Sequence, residues 1–398
     1  MRNVVKIKIK SKNAQAMKNG YPLIAKDAIV NIKELDREGI IVNLYDERNQ
    51  FLGKGYYGQQ NKGYGWILSR NEKEPIDELF FQKKIQAAVS NREKFYRSTE
   101  TTAFRVFNGE GDGIGGLTIE YFNGYYVINW YSEGIYSFKD QIVSALQKVV
   151  PCKGIYQKKR FDSKGQYIED NDFVCGEEPE FPLIVKENGV NFAIYLNDGA
   201  MVGVFLDQRE VRKLIRDKYA AGKNVLNTFS YTGAFSIFAA LGGAEKTTSV
   251  DLANRSLAKT REQFSINEID YTSHSIIVED VFKYFKYAVR KELKFEMVIL
   301  DPPSFARSKN FTFSASKDYT NLLKEAIAIT EDDGIIVAST NCSSFNMKKF
   351  KTFIDTAFSE SSKRYKLLEE FSLPEDFKTS RDFKEGDYLK VVFIKKLK

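Results

Sequence analysis

The sequence predicts an α/β chain whose C-terminal half, residues 181–398, is a seven-stranded sheet wrapped in helices. A small β-rich module (residues 1–72) and a small α/β segment (residues 73–180) precede it. Three observations lead to this. From about residue 223, short apolar runs alternate with amphipathic runs of helical length, the pattern of βα units and of a parallel sheet with right-handed crossovers. The last two strand-like runs have only a loop between them, so they can pair antiparallel at one edge. The first seventy residues show period-2 alternation and turn residues instead of a long helical stripe.

Taken in order, VVKIKIK alternates apolar and basic residues. IIVNLYDERNQFLGKGYYG gives two strands around the turn Asp46–Asn49, and YPLIAKDAI has little helical periodicity. IDELFFQKKIQAAVSNREKFY reads as a helix with Leu79, Phe80, Lys83, Ile85, Ala87 and Ala88 on one stripe. TAFRVFNGEGDGIGGLTIEYFNGYYVINWYS reads as two or three strands broken by Gly109–Gly116. No GK[ST] and no helix follows that glycine run, so it reads as a hairpin loop and not as a phosphate cradle. SFKDQIVSALQKVV is an amphipathic helix with Ile142, Val143, Leu146 and Val149 on one face, and GIYQKKR is a further strand.

In the third segment, PLIVKENGVNFAIYL is a hairpin through Asn188-Gly189. Asp207 to Glu210 resembles a helix-start box, opening REVRKLIRDKY with Val211, Leu214 and Ile215 inward. The strands are NVLNTF, KTTSV, SIIV, FEMVIL, IIVAST, KLLEEFSL and YLKVVFIKK. AFSIFAAL, NRSLAKTREQFSI, DVFKYFKYAVRKEL and DYTNLLKEAIAIT lie between the first five, and FKTFIDTAF follows the fifth. This is a Rossmann-like succession.

Composition excludes several chemistries. There are three cysteines (Cys152, Cys175 and Cys342) and no CxxC, which argues against a zinc ribbon or a thioredoxin-type site. The single histidine, His274, excludes an HExxH metalloprotease and argues against a Ser-His-Asp triad. No metal site is read. The net charge is +7, from 60 Lys and Arg against 53 Asp and Glu. The basic residues Arg2, Lys6, Lys8, Lys10, Lys12 and Lys18 all precede the first acid, Asp27. Such a segment fits a polyanion, and it equally fits an edge strand whose lysines discourage edge pairing. No apolar run approaches the roughly 18 residues of a membrane span, and no signal-peptide core opens the chain, so a cytoplasmic protein with no membrane partner is expected.

In a sheet of this kind, ligands sit beyond the carboxyl ends of the strands. Those ends are NTFSYTG (227–233), Asp251, Glu279-Asp280, Asp301-Pro302-Pro303 and Thr340-Asn341-Cys342. Three carboxylates and one thiol therefore converge on one crevice. Asp251 lies 18 residues after Gly233, close to the placement of an acid that bonds ribose hydroxyls. The turn NTFSYTG holds one glycine, which disfavours a dinucleotide pyrophosphate and suits the amino-acid end of an adenosyl-methionine. The structural alternative is a capping turn with a surface acid.

NTFSYTGAF, SVDLANRSL, EDVF, ILDPPSFARSK and the upstream FLDQREVR resemble motifs of bacterial large-subunit ribosomal RNA methyltransferases. GYPLIAKDAI resembles the PUA-type RNA-binding domain of that family, and AFRVFNGEGDGIGGLTIEYF its middle domain. The chain resembles most the cytosine-5 group, methyltransferase I. The resemblance implies a class I methyltransferase domain and S-adenosyl-L-methionine as cofactor. Asn227, Phe229, Ser230, Thr232 and Gly233 would hold its methionine end, Asp251 its ribose and Asp280 its adenine amino group. Asp207, Gln208 and Arg209 would close the pocket, with Asp301 at its inner edge. Cys342 in TNCSSF matches the nucleophile motif. Pro302, Pro303, Ser304 and Phe305 would face the substrate base, and Lys6, Lys8 and Lys10 the RNA. The implied partner is ribosomal RNA of the large subunit, and a homodimer is admitted.

Chemistry at carbon 5 of cytosine needs such a thiol. That carbon is a poor nucleophile until a thiolate adds to carbon 6 and turns the ring into an enamine. Asp301 is placed to hydrogen-bond the ring nitrogen. Cys342 also fits a small core residue. DPPSFARSK also resembles the motif of a guanine-N7 ribosomal RNA methyltransferase, which needs no cysteine. A non-catalytic RNA-binding assembly factor is the third alternative.

Overall fold

The computed structural model describes residues 4–60, 63–161, 172–307 and 312–398. Arg2 of the basic run and Ser308-Lys309 of the DPPSFARSK motif lie outside the described residues. The chain divides into two compact units. The first comprises residues 1–185, 194–202 and 375–386, and the second residues 186–193, 203–374 and 387–398. Segments 194–202 and 375–386, which the sequence places in the third segment, thus belong to the first unit.

The first unit holds two sheets. One has four strands in chain order: Val4–Lys8, Ile41–Tyr45, Phe51–Gln60 and Gly63–Ser69. Its first pair is parallel and the others are antiparallel. The parallel pairing requires a crossover, and part of it is a helix, Ser11–Lys18, with Ala14 and Met17 buried. Sequence periodicity does not reveal this helix, because only two of its eight residues face inward and no stripe is visible. Along the edge strand and the two residues after it, Ile7 and Ile9 are buried while Lys6, Lys8 and Lys10 are exposed, as alternation dictates.

The second sheet has five strands: Ala103–Asn108, Leu117–Phe122, Tyr125–Trp130, Gly154–Lys159 and Phe173–Gly176. The third and fourth are parallel, joined through the helix Lys139–Val149. Against it packs the helix Glu78–Ser90, which buries Phe80, Phe81, Ile85 and Ala88. Leu79, expected on that stripe, is exposed and Phe81 takes its place. The two sheets share one core, in which Tyr56 and Trp66 meet Phe81, Phe104 and Phe107.

The glycine run serves that core. A Cβ on Gly115 would lie 2.1 Å from Trp66 Cδ2, and one on Gly116 would lie 2.5 Å from the Tyr56 hydroxyl. Tyr56 donates to the Gly115 carbonyl at 2.8 Å. The glycines therefore let a loop backbone lie against two buried rings. Asp112 of the same loop receives a bidentate bond from the buried Arg92, at 2.9 and 2.7 Å.

The second unit is built on the predicted sheet. Its strands are β1 (Asn224–Thr228), β2 (Lys246–Asp251), β3 (Ser275–Val278), β4 (Phe295–Leu300), β5 (Thr330–Thr340), β6 (Arg364–Phe371) and β7 (Lys390–Leu397). The order is β3-β2-β1-β4-β5-β7-β6. The first five are parallel, and β7 runs antiparallel to both β5 and β6. Reversal of strand order falls between β1 and β4, the switch point where such sheets bind ligands. Helices Val281–Arg290, Ala315–Ile329 and Met347–Glu360 cover one face with Phe285, Leu322, Leu323, Phe350 and Ile354. Arg209–Leu214, its π-helical continuation Ile215–Tyr219 and Ala234–Leu241 cover the other with Val211, Ile215, Phe235 and Ala239. Leu214, expected inward, is only partly buried, because Arg212 turns in beside Val211.

Candidate functional site

The exit from β1 has an unusual backbone. Phe229 (φ 55°), Tyr231 (φ 51°) and Gly233 (φ 79°) are all left-handed. For the two non-glycine residues this costs of order 1–3 kcal/mol each, and surrounding contacts have to hold it. Tyr231 N donates to Asp251 Oδ2 at 2.8 Å and Ser230 N to the Val250 carbonyl at 3.1 Å. The Thr232 hydroxyl donates to the Gly203 carbonyl at 2.7 Å. A Cβ on Gly233 would lie 2.6 Å from Thr260 Cγ2, so glycine is required there on two grounds.

Asp251 ends β2, and its second oxygen accepts from Ala253 N at 2.9 Å. The carboxylate thus shapes two loops while it reaches the crevice. Asp280 caps the helix Val281–Arg290, accepting from Lys283 N at 3.1 Å. Asn227 is fully buried, and its amide donates to Ser236 Oγ at 3.0 Å. Its Oδ1 is a buried acceptor without a partner.

Asp301 follows β4, and Gln208 Nε2 donates both to its Oδ1 at 3.0 Å and to Ser339 Oγ at 2.7 Å. Gln208 therefore ties the end of β4 to the end of β5. Beneath them, the buried Tyr319 donates to the Ser339 carbonyl at 2.6 Å. Burial pushes the Asp301 carboxyl up to about 6, with a further push from the Asp207 charge. Ser339, Arg212 and Gln208 oppose the rise without cancelling it. Gln208 itself is buried, and its Oε1 is a second acceptor without a partner.

Pro302 is buried and Pro303 exposed, and the Ser304 hydroxyl donates to Asn341 Oδ1. The DPP loop is thereby fastened to the residue before Cys342. Phe305 is 63% exposed and opens a short hairpin, Phe305–Arg307 with Thr312–Ser314, that was not expected from the sequence. Cys342 is partly buried, its N donates to Thr340 Oγ1 at 3.3 Å, and its Sγ lies 3.1 Å from Ser344 Oγ.

The helix after FLDQ starts at Arg209, and the side chain of its cap residue, Gln208, makes no capping bond to the helix backbone. Asp207, expected as that cap, instead accepts from the Tyr388 hydroxyl at 2.9 Å. Arg209 is buried, with its Nε 3.1 Å from Glu210 Oε1. Arg212 makes a buried bidentate pair with Glu187 at 2.7 and 2.6 Å.

The structure thus brings Asp207, Gln208, Asn227, the 229–233 loop, Asp251, Asp280, Asp301–Phe305 and Cys342 to the carboxyl ends of β1–β5. Lys6, Lys8 and Lys10 lie in the other unit. Lys12 and Lys18 of the basic run are neutralised by Asp27 at 3.0 Å and Asp46 at 2.7 Å. Sequence reasoning missed Ser339, Tyr319, Tyr388 and Lys390. The available signal for Lys390 was a lysine inside an apolar strand run.

Comparison with known proteins decides the family. Residues 105–379 match the S-adenosylmethionine-dependent methyltransferase family, and residues 7–70 match a PUA-like domain. The chain belongs to the S-adenosylmethionine-dependent methyltransferases. It is an enzyme of that class, with S-adenosylmethionine as cofactor, and the non-catalytic alternative falls away. The "Putative ribosomal RNA large subunit methyltransferase YwbD" of Bacillus subtilis is 61% identical over 98% of either chain. The "Ribosomal RNA large subunit methyltransferase I" of Alteromonas mediterranea is 28% identical over 94% of this chain and 95% of the relative. Among solved structures, "SMU.776, a putative methyltransferase complexed with SAH" has a TM-score of 0.91 at 38% identity, over 98% of this chain and 100% of that one.

The residues present fit the cofactor. Asn227 Oδ1 and Gln208 Oε1 are buried acceptors without partners, and buried acceptors of that kind are normally satisfied. The ammonium of the cofactor's methionine end would supply donors for acceptors of this kind. Among the described residues, no helix is long and apolar enough to cross a membrane.

Proposed function

We propose that this methyltransferase acts on carbon 5 of a cytosine in large-subunit (23S) ribosomal RNA, through a covalent adduct to Cys342. The observation that carries the reading is the Ser304–Asn341 bond, which joins the DPP loop to the loop of the only thiol at the strand ends. The names of the relatives in Bacillus subtilis and Alteromonas mediterranea support the substrate class. A cytoplasmic location goes with that substrate.

In this reading the loop 229–233 and the acceptors of Asn227 and Gln208 hold the methionine end. Asp251 takes the ribose, Asp280 the adenine amino group, and Asp207–Arg209 close the pocket. The bound cofactor supplies an electrophilic methyl group. Pro302, Pro303, Ser304 and Phe305 hold the base. The Cys342 thiolate would add to carbon 6, and carbon 5 would then take the methyl group as the methyl–sulfonium bond breaks and S-adenosylhomocysteine leaves. A base next removes the carbon-5 proton, the carbon–sulfur bond breaks, and the thiolate returns. Asp301, with its carboxyl lifted to about 6, hydrogen-bonds the ring nitrogen and steadies the charge that moves through the ring. Lys6 and Lys8 on one strand, and Lys10 just beyond it, are exposed and meet RNA phosphates.

RNA carrying 5-fluorocytosine tests this, because fluorine does not leave as a proton does. The protein with S-adenosylmethionine is expected to form a denaturant-stable adduct, and Cys342→Ala to form none while it keeps cofactor affinity. Normal turnover by Cys342→Ala refutes the cytosine-5 reading and leaves guanine-N7 methylation, with Asp301 and the Pro302-Pro303 backbone positioning the purine.

A further inference from the structure

We propose that Lys390 is a positioning residue for Cys342: its buried ammonium fastens the cysteine loop to β7 and supplies the positive charge against which the thiolate forms. The inference rests on the nucleophile reading of Cys342.

Lys390 opens β7 opposite Thr340, the last residue of β5. Only 4% of it is exposed. Its Nζ donates to the Cys342 carbonyl at 2.9 Å and to the Tyr388 carbonyl at 2.7 Å. It also lies over the Phe345 ring, 5.5 Å from the centroid. An ammonium so placed holds residues 342 and 345 of one loop together. A buried lysine in an apolar strand carries a desolvation cost that two carbonyls do not remove. Burial duly pushes the Lys390 ammonium down from its ordinary range. The titratable groups that oppose this are Cys342 first and Asp387 second. The bond to the Cys342 carbonyl keeps this ammonium at the cysteine's own backbone, and a lysine held beside a cysteine is the setting in which thiols become reactive. In the other unit burial pushes the Cys152 and Cys175 thiols up, and at Cys175 the Lys139 charge opposes that rise without overcoming it.

Alkylation of the full chain by iodoacetamide, read peptide by peptide by mass spectrometry, tests this apart from any RNA chemistry. Cys342 is expected to react at pH 7 at least fivefold faster than Cys152 or Cys175. Lys390→Met is expected to slow Cys342 at least fivefold at pH 7, with the deficit narrowing toward pH 9 as bulk base supplies the thiolate. Lys390→Arg, which keeps the charge, is expected to retain most of the rate. A deficit in Lys390→Met that is equal at every pH marks a packing role only and overturns the proposal, as does no deficit. Should the variants not fold, the unsubstituted protein still decides, because a Cys342 no faster than the other two cysteines refutes it. Failure of the fluorocytosine adduct in a protein that passes these tests refutes the nucleophile reading and not the Lys390–Cys342 coupling.

Discussion

Asp301 offers a test in which stability and activity move in opposite directions. Its carboxyl is lifted from an ordinary 3.8 to about 6, chiefly by burial. The folded chain thus binds this proton more tightly than the unfolded chain does. For a raised acid the sign is fixed: the penalty is absent below about 4, grows between about 4 and 6, and is complete above 6. At about 1.4 kcal/mol for each tenfold change in the acid constant, ionised Asp301 costs the fold roughly 3 kcal/mol at pH 8. Asp301→Asn removes the charge and keeps an acceptor for Gln208. At pH 8 it is expected to unfold about 6 to 12 °C higher, for a unit of about 200 residues. Calorimetric scans from pH 4 to pH 8 are expected to show this gain fading toward zero at the acid end, while methyl transfer is lost. No gain at pH 8, or the same gain at pH 4, would refute the argument that this carboxylate is held against its own solvation.

Other outcomes follow from the same geometry. Asp251→Ala leaves the N–H groups of Tyr231 and Ala253 without their acceptor, so stability is expected to fall by about 1–3 kcal/mol. Titration calorimetry is expected to show S-adenosylmethionine affinity at least tenfold weaker, and unchanged affinity removes Asp251 from the site. Replacing Lys6, Lys8 and Lys10 with Gln is expected to weaken RNA binding and flatten its dependence on log salt by about 0.7–0.9 for each phosphate that is no longer neutralised. An unchanged slope takes these lysines out of the RNA interface. Substitution is preferable here to deleting residues 1–70, since Tyr56 and Trp66 share the core that holds Phe81 and Phe104.

Much of the second unit was legible because each strand and helix carries its own period. FEMVIL is an apolar run of strand length between two helical runs, and the acids at the strand ends stand out against such runs. The helix Ser11–Lys18 was not legible, because a helix with two buried residues leaves no stripe. The glycine run was legible as a hairpin loop, but not the reason for its glycines, since the Trp66 ring they lie against is far off in the chain. In the site, sequence points to which loops converge but not to how they are joined. The Gln208 bridge from Asp301 to Ser339 and the Lys390 bond to the Cys342 carbonyl depend on strands adjacent only in the folded sheet. Asp251 and Asp280 are legible as strand-end acids, while their work in holding Tyr231, Ala253 and Lys283 backbone groups is seen only in three dimensions.

Whether this chain makes 5-methylcytidine through Cys342 is decided by mapping modified nucleotides in large-subunit ribosomal RNA, by mass spectrometry, from cells that lack it. Cells given back the intact chain or its Cys342→Ala variant complete the comparison. One 5-methylcytidine is expected to disappear with the chain, to return with the intact protein and to stay absent with Cys342→Ala. A methylated guanine that follows that pattern of loss and returns with Cys342→Ala contradicts the cytosine-5 reading, and so does an unchanged map.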